Sequence, residues 1–243
     1  MAHIEVHGDR SLESPVLIEG LPGVGLVGKI ATDHLVDTFD MSYYASCRCE
    51  GLPDVAVYHE GDPAVEPPVR IYADHERDLL ALQSDVPVSP SDATEFAACL
   101  SGWIDEQDAL PLYLSGLPAE KEGPPKLHGI ATGDAGDLLE EYDIPAPPQS
   151  GLISGPTGNL LSRAEQDDID GLGFVVESNA QFPDPEAART LLLDAIAPVA
   201  GIEIDTQKLV DQAEEIAQAR QQLAQQMGQA GDESSQAQPI GFQ

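Results

Sequence analysis

The sequence of 243 residues predicts a mixed α/β fold in which a largely parallel sheet is flanked by helices. Short apolar runs typical of buried strands alternate with helical patterns, which indicates parallel strands covered on both faces. Hydrophobic residues make up 42% of the chain, enough for one sizeable core. We expect an α/β core domain over residues 1–204, a C-terminal long helix over 205–228 and a disordered tail over 229–243.

The first half of the chain begins with a predicted strand, a glycine-rich turn and a helix. The run Val16–Glu19 is short and apolar, and residues 24–39 carry apolar side chains at helical spacing. Further strands are predicted over residues 41–50 and 54–59. Two adjacent runs, 69–73 and 78–84, predict a hairpin that adds an antiparallel part to the sheet.

The second half repeats the alternation. Ser89 predicts a helix start because it can act as the cap, with Pro90 in the first turn and Asp92 at the positive end of the helix dipole. Strands are predicted over 110–115, 127–132, 151–153 and 173–177. Helices are predicted over 135–142, from the end of the second glycine turn to about residue 168, and over 185–199.

The predicted C-terminal helix has a narrow apolar stripe of coiled-coil type, interrupted at Arg220. Two interpretations stay open: the helix docks back onto its own domain, or it pairs with another subunit. Five partner-binding candidates lie in this stripe, and the sixth is the penultimate residue of the chain. These candidates are Leu209, Ala213, Ile216, Leu223, Met227 and Phe242.

Charge is the most extreme feature of the composition. The chain has 43 Asp plus Glu against 11 Lys plus Arg, a formal net charge of -32, spread along its whole length. Concentrated salt screens such self-repulsion, so one interpretation is a protein from a salt-loving organism. The alternative is a docking face for basic partners. Either way, nucleic-acid binding is disfavoured, because phosphate backbones need a basic patch.

Other features of the sequence limit where the protein is located and which chemistry it carries out. No apolar run approaches the roughly 18 residues of a membrane span, and the N-terminus lacks the pattern of a signal peptide, so we expect a cytoplasmic protein that does not contact membranes. The chain has three cysteines, Cys47, Cys49 and Cys99. Because this number is odd and the sequence shows no export signal, all three are predicted to be reduced thiols. No zinc-type spacing or other metal-ligand pattern appears, so we expect no metal ion.

The glycine turn from Gly20 to Lys29 is the strongest motif. The spacing of Gly23, Gly25 and Gly28 between a strand and a helix fits a dinucleotide fingerprint. Most of a phosphate loop is also present, but Ile30 stands where Ser or Thr would hold Mg²⁺, which argues against an NTPase. The glycines also suit a turn that only packs helix against strand, with no ligand.

A second glycine turn, from Gly151 to Asn159, resembles the first. Thr157 and Asn159 would assist Lys29 in holding an anion if the two turns lie together. These two residues, Lys29 and the three glycines of the fingerprint are therefore weak anion-site candidates. The chain has no nucleophile elbow and no other catalytic constellation, so we expect neither an enzyme nor a bound cofactor.

The two glycine segments together resemble a known family. The segment from Leu17 to Ala31 resembles the opening signature of the proteasome assembly chaperone family, which includes the second eukaryotic proteasome-assembling chaperone and its archaeal and bacterial relatives. The segment from Gly151 to Leu161 resembles its second signature. Residues 187–193 and 204–213 resemble its closing helices.

This resemblance implies a fold like that of nucleoside phosphorylases, homo-oligomers, and a non-enzymatic role with proteasome α-subunits as partners. Some relatives dock through a C-terminal hydrophobic-Tyr-any motif. Here Phe242 holds the aromatic place, but Gly241 stands at the hydrophobic position, which disfavours docking by that route. The alternative function is a nucleotide- or anion-binding enzyme that uses the turn from Gly23 to Gly28.

Overall fold

The computed structural model describes residues 3–8, 12–50, 52–58, 60–61, 63–120 and 123–219. Its centre is an eight-stranded mixed sheet. The strands of this sheet are β1 His3–Val6, β2 Val16–Gly20, β3 Ser42–Arg48, β6 Val69–Asp74, β7 Leu79–Ser84, β8 Leu110–Pro118, β9 Leu127–Thr132 and β10 Gly171–Ser178. Their order across the sheet is β1-β3-β6-β7-β2-β8-β10-β9. A separate two-stranded ladder joins β4 Val57–Tyr58 to β5 Val65–Glu66.

Helices cover both faces of the sheet, as the sequence predicts. They are α1 Val27–Phe39, α2 Ala93–Glu106, α3 Gly136–Glu141, α4 Gly155–Gln166, α5 Pro185–Leu191 and α6 Ala197–Ala200, with a π-helical turn at Leu192–Ile196 between the last two. Residues 207–219 form a further helix, α7. Within the described ranges, no helix has the length and apolar character needed to cross a membrane.

The parallel part of the sheet lies at its centre. Strand β2 pairs in parallel with β7 and β8, and β8 pairs in parallel with β10. The outer pairings are antiparallel, including the β6–β7 hairpin that the sequence predicts. The carboxyl ends of the four central strands therefore meet at one edge of the sheet, where open α/β sheets usually bind ligands.

Two cores fill the layers on either side of the sheet. On one face, Phe96 and Leu100 of α2 pack with Leu160 of α4. On the other face, Leu35 of α1 packs with Leu191 of α5. All five side chains are at most 1% exposed, which accounts for the strong apolar periodicity of these helices in the sequence.

Three sequence predictions about elements were wrong or too long. Residues 151–153 form no strand, and Leu152 is 87% exposed, so this apolar run is a loop outside the sheet. Helix α2 begins at Ala93 and not at Ser89, whose hydroxyl donates to the Asp92 carboxylate instead of capping the helix. The predicted strand over 54–59 is only the two-residue β4.

The predicted reduced state of the cysteines is also wrong for two of the three. Cys49 and Cys99 form a disulfide with a Cα–Cα distance of 5.9 Å. The end of β3 and helix α2 lie next to each other in the fold although 50 residues separate the two cysteines, and sequence spacing alone does not reveal that proximity. Cys47 is a free, buried thiol whose pKa burial raises to about 12.

Replacing Cys99 by serine is expected to lower the free energy of unfolding by about 2–4 kcal/mol, because the unfolded chain is then no longer cross-linked. Chemical denaturation without reductant measures the loss. Cys47→Ala is the matched control, since it removes the thiol that is not bonded and should leave the effect of reductant intact. A wild-type midpoint that does not move when reductant is added would contradict the disulfide.

Candidate functional site

The two glycine turns lie together at the carboxyl edge of the central strands. The first turn leaves the end of β2, and the second leads into the first turn of α4, which Pro156 favours by its fixed φ. Thr157 of α4 donates a hydrogen bond to the Glu19 carboxylate of β2, with an oxygen–oxygen distance of 3.2 Å. This contact joins segments that lie 138 residues apart in the sequence.

Glu19 is the centre of this arrangement. Its side chain is 1% exposed and accepts hydrogen bonds from the backbone N–H groups of Leu21 and Leu114, each at 3.0 Å. Burial raises the pKa of Glu19 to about 7, although the hydrogen bonds from Leu114, Leu21 and Thr157 oppose the shift. Glu19 therefore ties the first turn, the neighbouring strand β8 and the second turn to one carboxyl group.

Tyr113 adds a buried hydroxyl close to this carboxyl group. The ring lies on β8 and is 1% exposed, and the hydroxyl has no hydrogen-bond partner among the described residues. Burial raises the pKa of Tyr113, and the nearby Glu19 raises it further. The phenol therefore stays neutral and adds no second negative charge beside Glu19.

The glycines of the first turn differ in their surroundings. Gly25 has a φ of +64°, and a Cβ there would overlap the Ser178 hydroxyl at the end of β10. A Cβ on Gly28 would lie 3.1 Å from the backbone oxygen of Glu19. Gly23, in contrast, has nothing within 4 Å of the place of its Cβ. Close packing thus accounts for Gly25 and Gly28, but not for Gly23.

The polar anion-site candidates already have partners within the protein. The Lys29 ammonium lies 3.1 Å from the Asp33 carboxylate and 3.3 Å from that of Asp85. The Asn159 amide donates to the Gly155 carbonyl at 2.9 Å, and Thr157 donates to Glu19. The turns do come together, but their polar side chains face carboxylates and backbone groups of the chain itself.

A second candidate surface begins where α7 leaves the domain. Leu209 is 2% exposed and packs against the α1–α5 core, whereas Ala213 and Ile216 are only partly buried. Around this root, the Asp205 carbonyl lies 2.7 Å from the imidazole Nε2 of His34. The root of the helix therefore docks onto its own domain, and the stripe becomes more exposed along α7.

Further ties hold the same root. The Lys208 ammonium lies 2.7 Å from the Asp37 carboxylate, and the Arg189 guanidinium donates to the Thr206 hydroxyl at 3.1 Å. The remaining partner-binding candidates, Leu223, Met227 and Phe242, lie outside the described residues.

Sequence reasoning did not single out Glu19 as a site residue. The available signal was its place as the only charged residue in β2, a five-residue strand that is otherwise apolar or glycine. A charged side chain at such a position needs buried hydrogen-bond partners. Among the described residues, no group of three or more His, Cys, Asp or Glu side chains is arranged to hold a metal ion.

Comparisons with known proteins match nearly the whole chain. The PAC2 family model matches residues 17–224. An uncharacterised protein of Methanocaldococcus jannaschii is 28% identical over 220 residues, which cover 88% of this chain and 87% of that protein.

Solved structures share the fold. Pyrococcus furiosus PbaB, described as an archaeal proteasome activator, superposes with a TM-score of 0.77 at 26% identity, covering 92% of this chain and 98% of PbaB. Pyrococcus furiosus PbaA, described as an archaeal homologue of proteasome-assembly chaperone, has a TM-score of 0.78 at 24% identity and covers 96% of both chains. The α/β sheet with flanking helices predicted from the sequence is the architecture of these proteins.

Proposed function

This chain belongs to the PAC2 family, and we propose that it is a non-enzymatic, chaperone-like protein that assists proteasome assembly through protein–protein contacts. Its proposed partners are proteasome α-subunits and further copies of itself. The observation that carries the proposal is helix α7, whose root is fixed to the domain while its apolar stripe becomes more exposed along its length. PbaB, an archaeal proteasome activator, is similar over 92% of this chain.

The fixed root favours binding by α7. The start of α7 is held by Leu209, by the Lys208–Asp37 ion pair and by the Asp205–His34 contact. A helix fixed at one end loses less conformational freedom when a partner covers the rest of it. Ala213 and Ile216 are then the first residues available to a second helix. Leu223, Met227 and Phe242 would extend the same contact.

The glycine turns favour a structural role over catalysis. Glu19 and Thr157 are engaged with each other, and Lys29 is paired with two carboxylates. A general acid or base needs contact with a substrate, and the Glu19 side chain is 1% exposed.

Purified full-length protein is expected to bind purified α-subunits, and Ile216→Ser is expected to weaken that binding about tenfold, because an apolar anchor at the start of the contact is lost. Gln218→Ser, a neighbouring exposed position on the same helix, is the matched control and should bind as the wild type does. Titration followed by light scattering measures the binding. If the wild type binds no α-subunit, the proposed partner is wrong.

Light scattering of the protein alone separates the two proposed partners of α7. A lower oligomer mass for Ile216→Ser, with unchanged binding of α-subunits, assigns the stripe to self-association. Calorimetry with phosphate, ATP and NAD tests the enzyme alternative. A micromolar dissociation constant for any of them would contradict a purely structural turn.

A further inference from the structure

The segment between β3 and β6 projects from the domain as a hairpin. It spans residues 49–68, described apart from 51, 59 and 62, and contains β4 and β5, which pair only with each other within the described part. Val57 faces Glu66 in this ladder, and Tyr58 faces Val65. Because β6 begins beside the end of β7, the hairpin rises from the same edge of the sheet as the glycine turns.

Both legs of the hairpin are fixed at the base. The disulfide from Cys49 to Cys99 ties the first leg to α2. Arg70, only 2% exposed, donates to the Pro67 carbonyl at 2.9 Å and lies 3.2 Å from the Glu66 carboxylate, so it holds the second leg. The same guanidinium donates to Asp85 at 2.7 Å, which anchors it to the end of β7. Because both legs are fixed at the base, the hairpin loses less conformational entropy when a partner binds to it.

The hairpin carries three exposed apolar side chains, which together are called the tip. Val55 is 48% exposed, Tyr58 80% and Val65 68%. These are three of the seven large apolar side chains that are exposed in the described part of the chain. Tyrosine beside aliphatic side chains is typical of the central part of a protein interface. An exposed group of this kind on a fixed stalk indicates an interaction surface.

The charge around the tip indicates what kind of partner fits. Residues 49–68 contain five carboxylates and no Lys or Arg. Glu50, Asp54 and Glu60 are exposed on the same hairpin. A second copy of the chain would bring the same carboxylates to the contact, and like charges that face each other across an interface disfavour it. A surface rimmed by Lys and Arg would be complementary.

We propose that the tip formed by Val55, Tyr58 and Val65 is a docking surface for another protein, whose contact face is an apolar depression bordered by Lys and Arg. This inference goes beyond the proposed function and rests on it only for the first probe, the proteasome α-subunit. The contact lies on the hairpin, which is separate from the root of α7 in the sequence and in the fold.

The triple substitution Val55→Ser, Tyr58→Ser, Val65→Ser tests the tip in the full-length protein. Binding of purified α-subunits is expected to weaken about tenfold or more, because the apolar anchors are lost. Leu152→Ser is the matched control, since it removes an equally exposed leucine elsewhere and should leave binding unchanged. The affinity of the wild type should fall as KCl is raised, and Glu50→Gln, Asp54→Asn, Glu60→Gln should reduce that dependence.

Unchanged α-subunit binding by the triple variant overturns the proposal. A loss of self-association in that variant, measured by sedimentation velocity, also overturns it, because the occupant is then a second copy.

If the wild type fails to bind α-subunits, the proposed function falls and the tip is tested by photo-crosslinking in the native cells, with p-benzoylphenylalanine in place of Tyr58. Cross-links that map to an apolar peptide flanked by Lys or Arg on another protein support the proposal. Cross-linking no greater than from position 152 overturns it.

Discussion

Replacing Glu19 by alanine is expected to lower the free energy of unfolding by about 3–5 kcal/mol, the largest loss from any single substitution considered. The carboxyl group accepts from Leu21 N–H, Leu114 N–H and Thr157 O–H in a site that is 1% exposed. Alanine leaves all three donors without a partner and creates a cavity between the two glycine turns. Denaturant unfolding followed by circular dichroism measures the loss.

Glutamine at position 19 is the matched control for shape. Its amide keeps one acceptor oxygen but turns an NH₂ group toward a backbone N–H, so we expect a smaller loss of about 1–3 kcal/mol. Thr157→Val removes one donor and its acceptor contact while preserving volume, and should cost about 1 kcal/mol. Equal stabilities of Glu19→Ala and the wild type would contradict the central place given to this carboxyl group.

The raised pKa of Glu19 also predicts how stability depends on pH. The folded pKa is about 7 and the ordinary value is 4.5, so between these values the folded state binds more protons than the unfolded chain. Stability from this group is therefore full below about pH 4.5, falls as pH rises to about 7 and is constant above. The shift corresponds to about 3 kcal/mol across that window.

The difference in unfolding free energy between the wild type and Glu19→Gln isolates this contribution, because the other carboxylates are common to both proteins. Between about pH 4.5 and 7.5, the unfolding free energy of the wild type relative to that of Glu19→Gln should fall as pH rises. A difference that is flat, or that shifts in the wild type's favour, would mean that the carboxyl is already ionised in the fold at acid pH.

Replacing Gly25 by alanine is expected to cost about 3 kcal/mol or more, from the left-handed backbone and from overlap with a buried neighbour. The φ of +64° disfavours any Cβ, and the Ser178 hydroxyl that it would strike is fully buried and bonded to Asp184. The Gly25 carbonyl also accepts from the Asp184 N–H at 2.9 Å, so a displaced turn would disturb the start of α5.

Gly23→Ala is the matched control for Gly25→Ala. Gly23 has an extended backbone with φ −145° and open space around it, so alanine there should change stability by less than about 1 kcal/mol. Thermal unfolding of both variants gives the comparison. A large loss of stability at Gly23, or a small one at Gly25, would contradict the packing explanation of the first turn.

Much of the fold was predictable from local pattern. The strand over 127–132 has the predicted bounds, and the hairpin of β6 and β7 lies where two adjacent runs predicted it. The sequence pattern within a few residues is enough to predict these elements. Leu152 shows the limit of this reasoning, because the apolar run around it forms no strand and its side chain is 87% exposed.

The centre of the site was harder to predict. Among 43 acidic residues, Glu19 is set apart only by its place in an apolar strand, and only the fold shows that it is buried against Leu114 and Thr157. The same holds for the disulfide, where adjacency in space between Cys49 and Cys99 decides the pairing. Local pattern identified both glycine turns, and the long-range contact between them needed the three-dimensional structure.

The central position of β2 has a consequence for the order in which the chain can fold during synthesis. The partners of Glu19 on β8 and α4 follow it by 95 and 138 residues. A nascent chain that has left the ribosome only as far as β7 therefore carries a carboxylate without its partners, and contacts between distant segments form slowly. The hydrogen bonds of Glu19 are complete only when Thr157 has emerged. An arrested or truncated chain that ends before α4 therefore cannot join the two glycine turns at the carboxyl edge of the sheet.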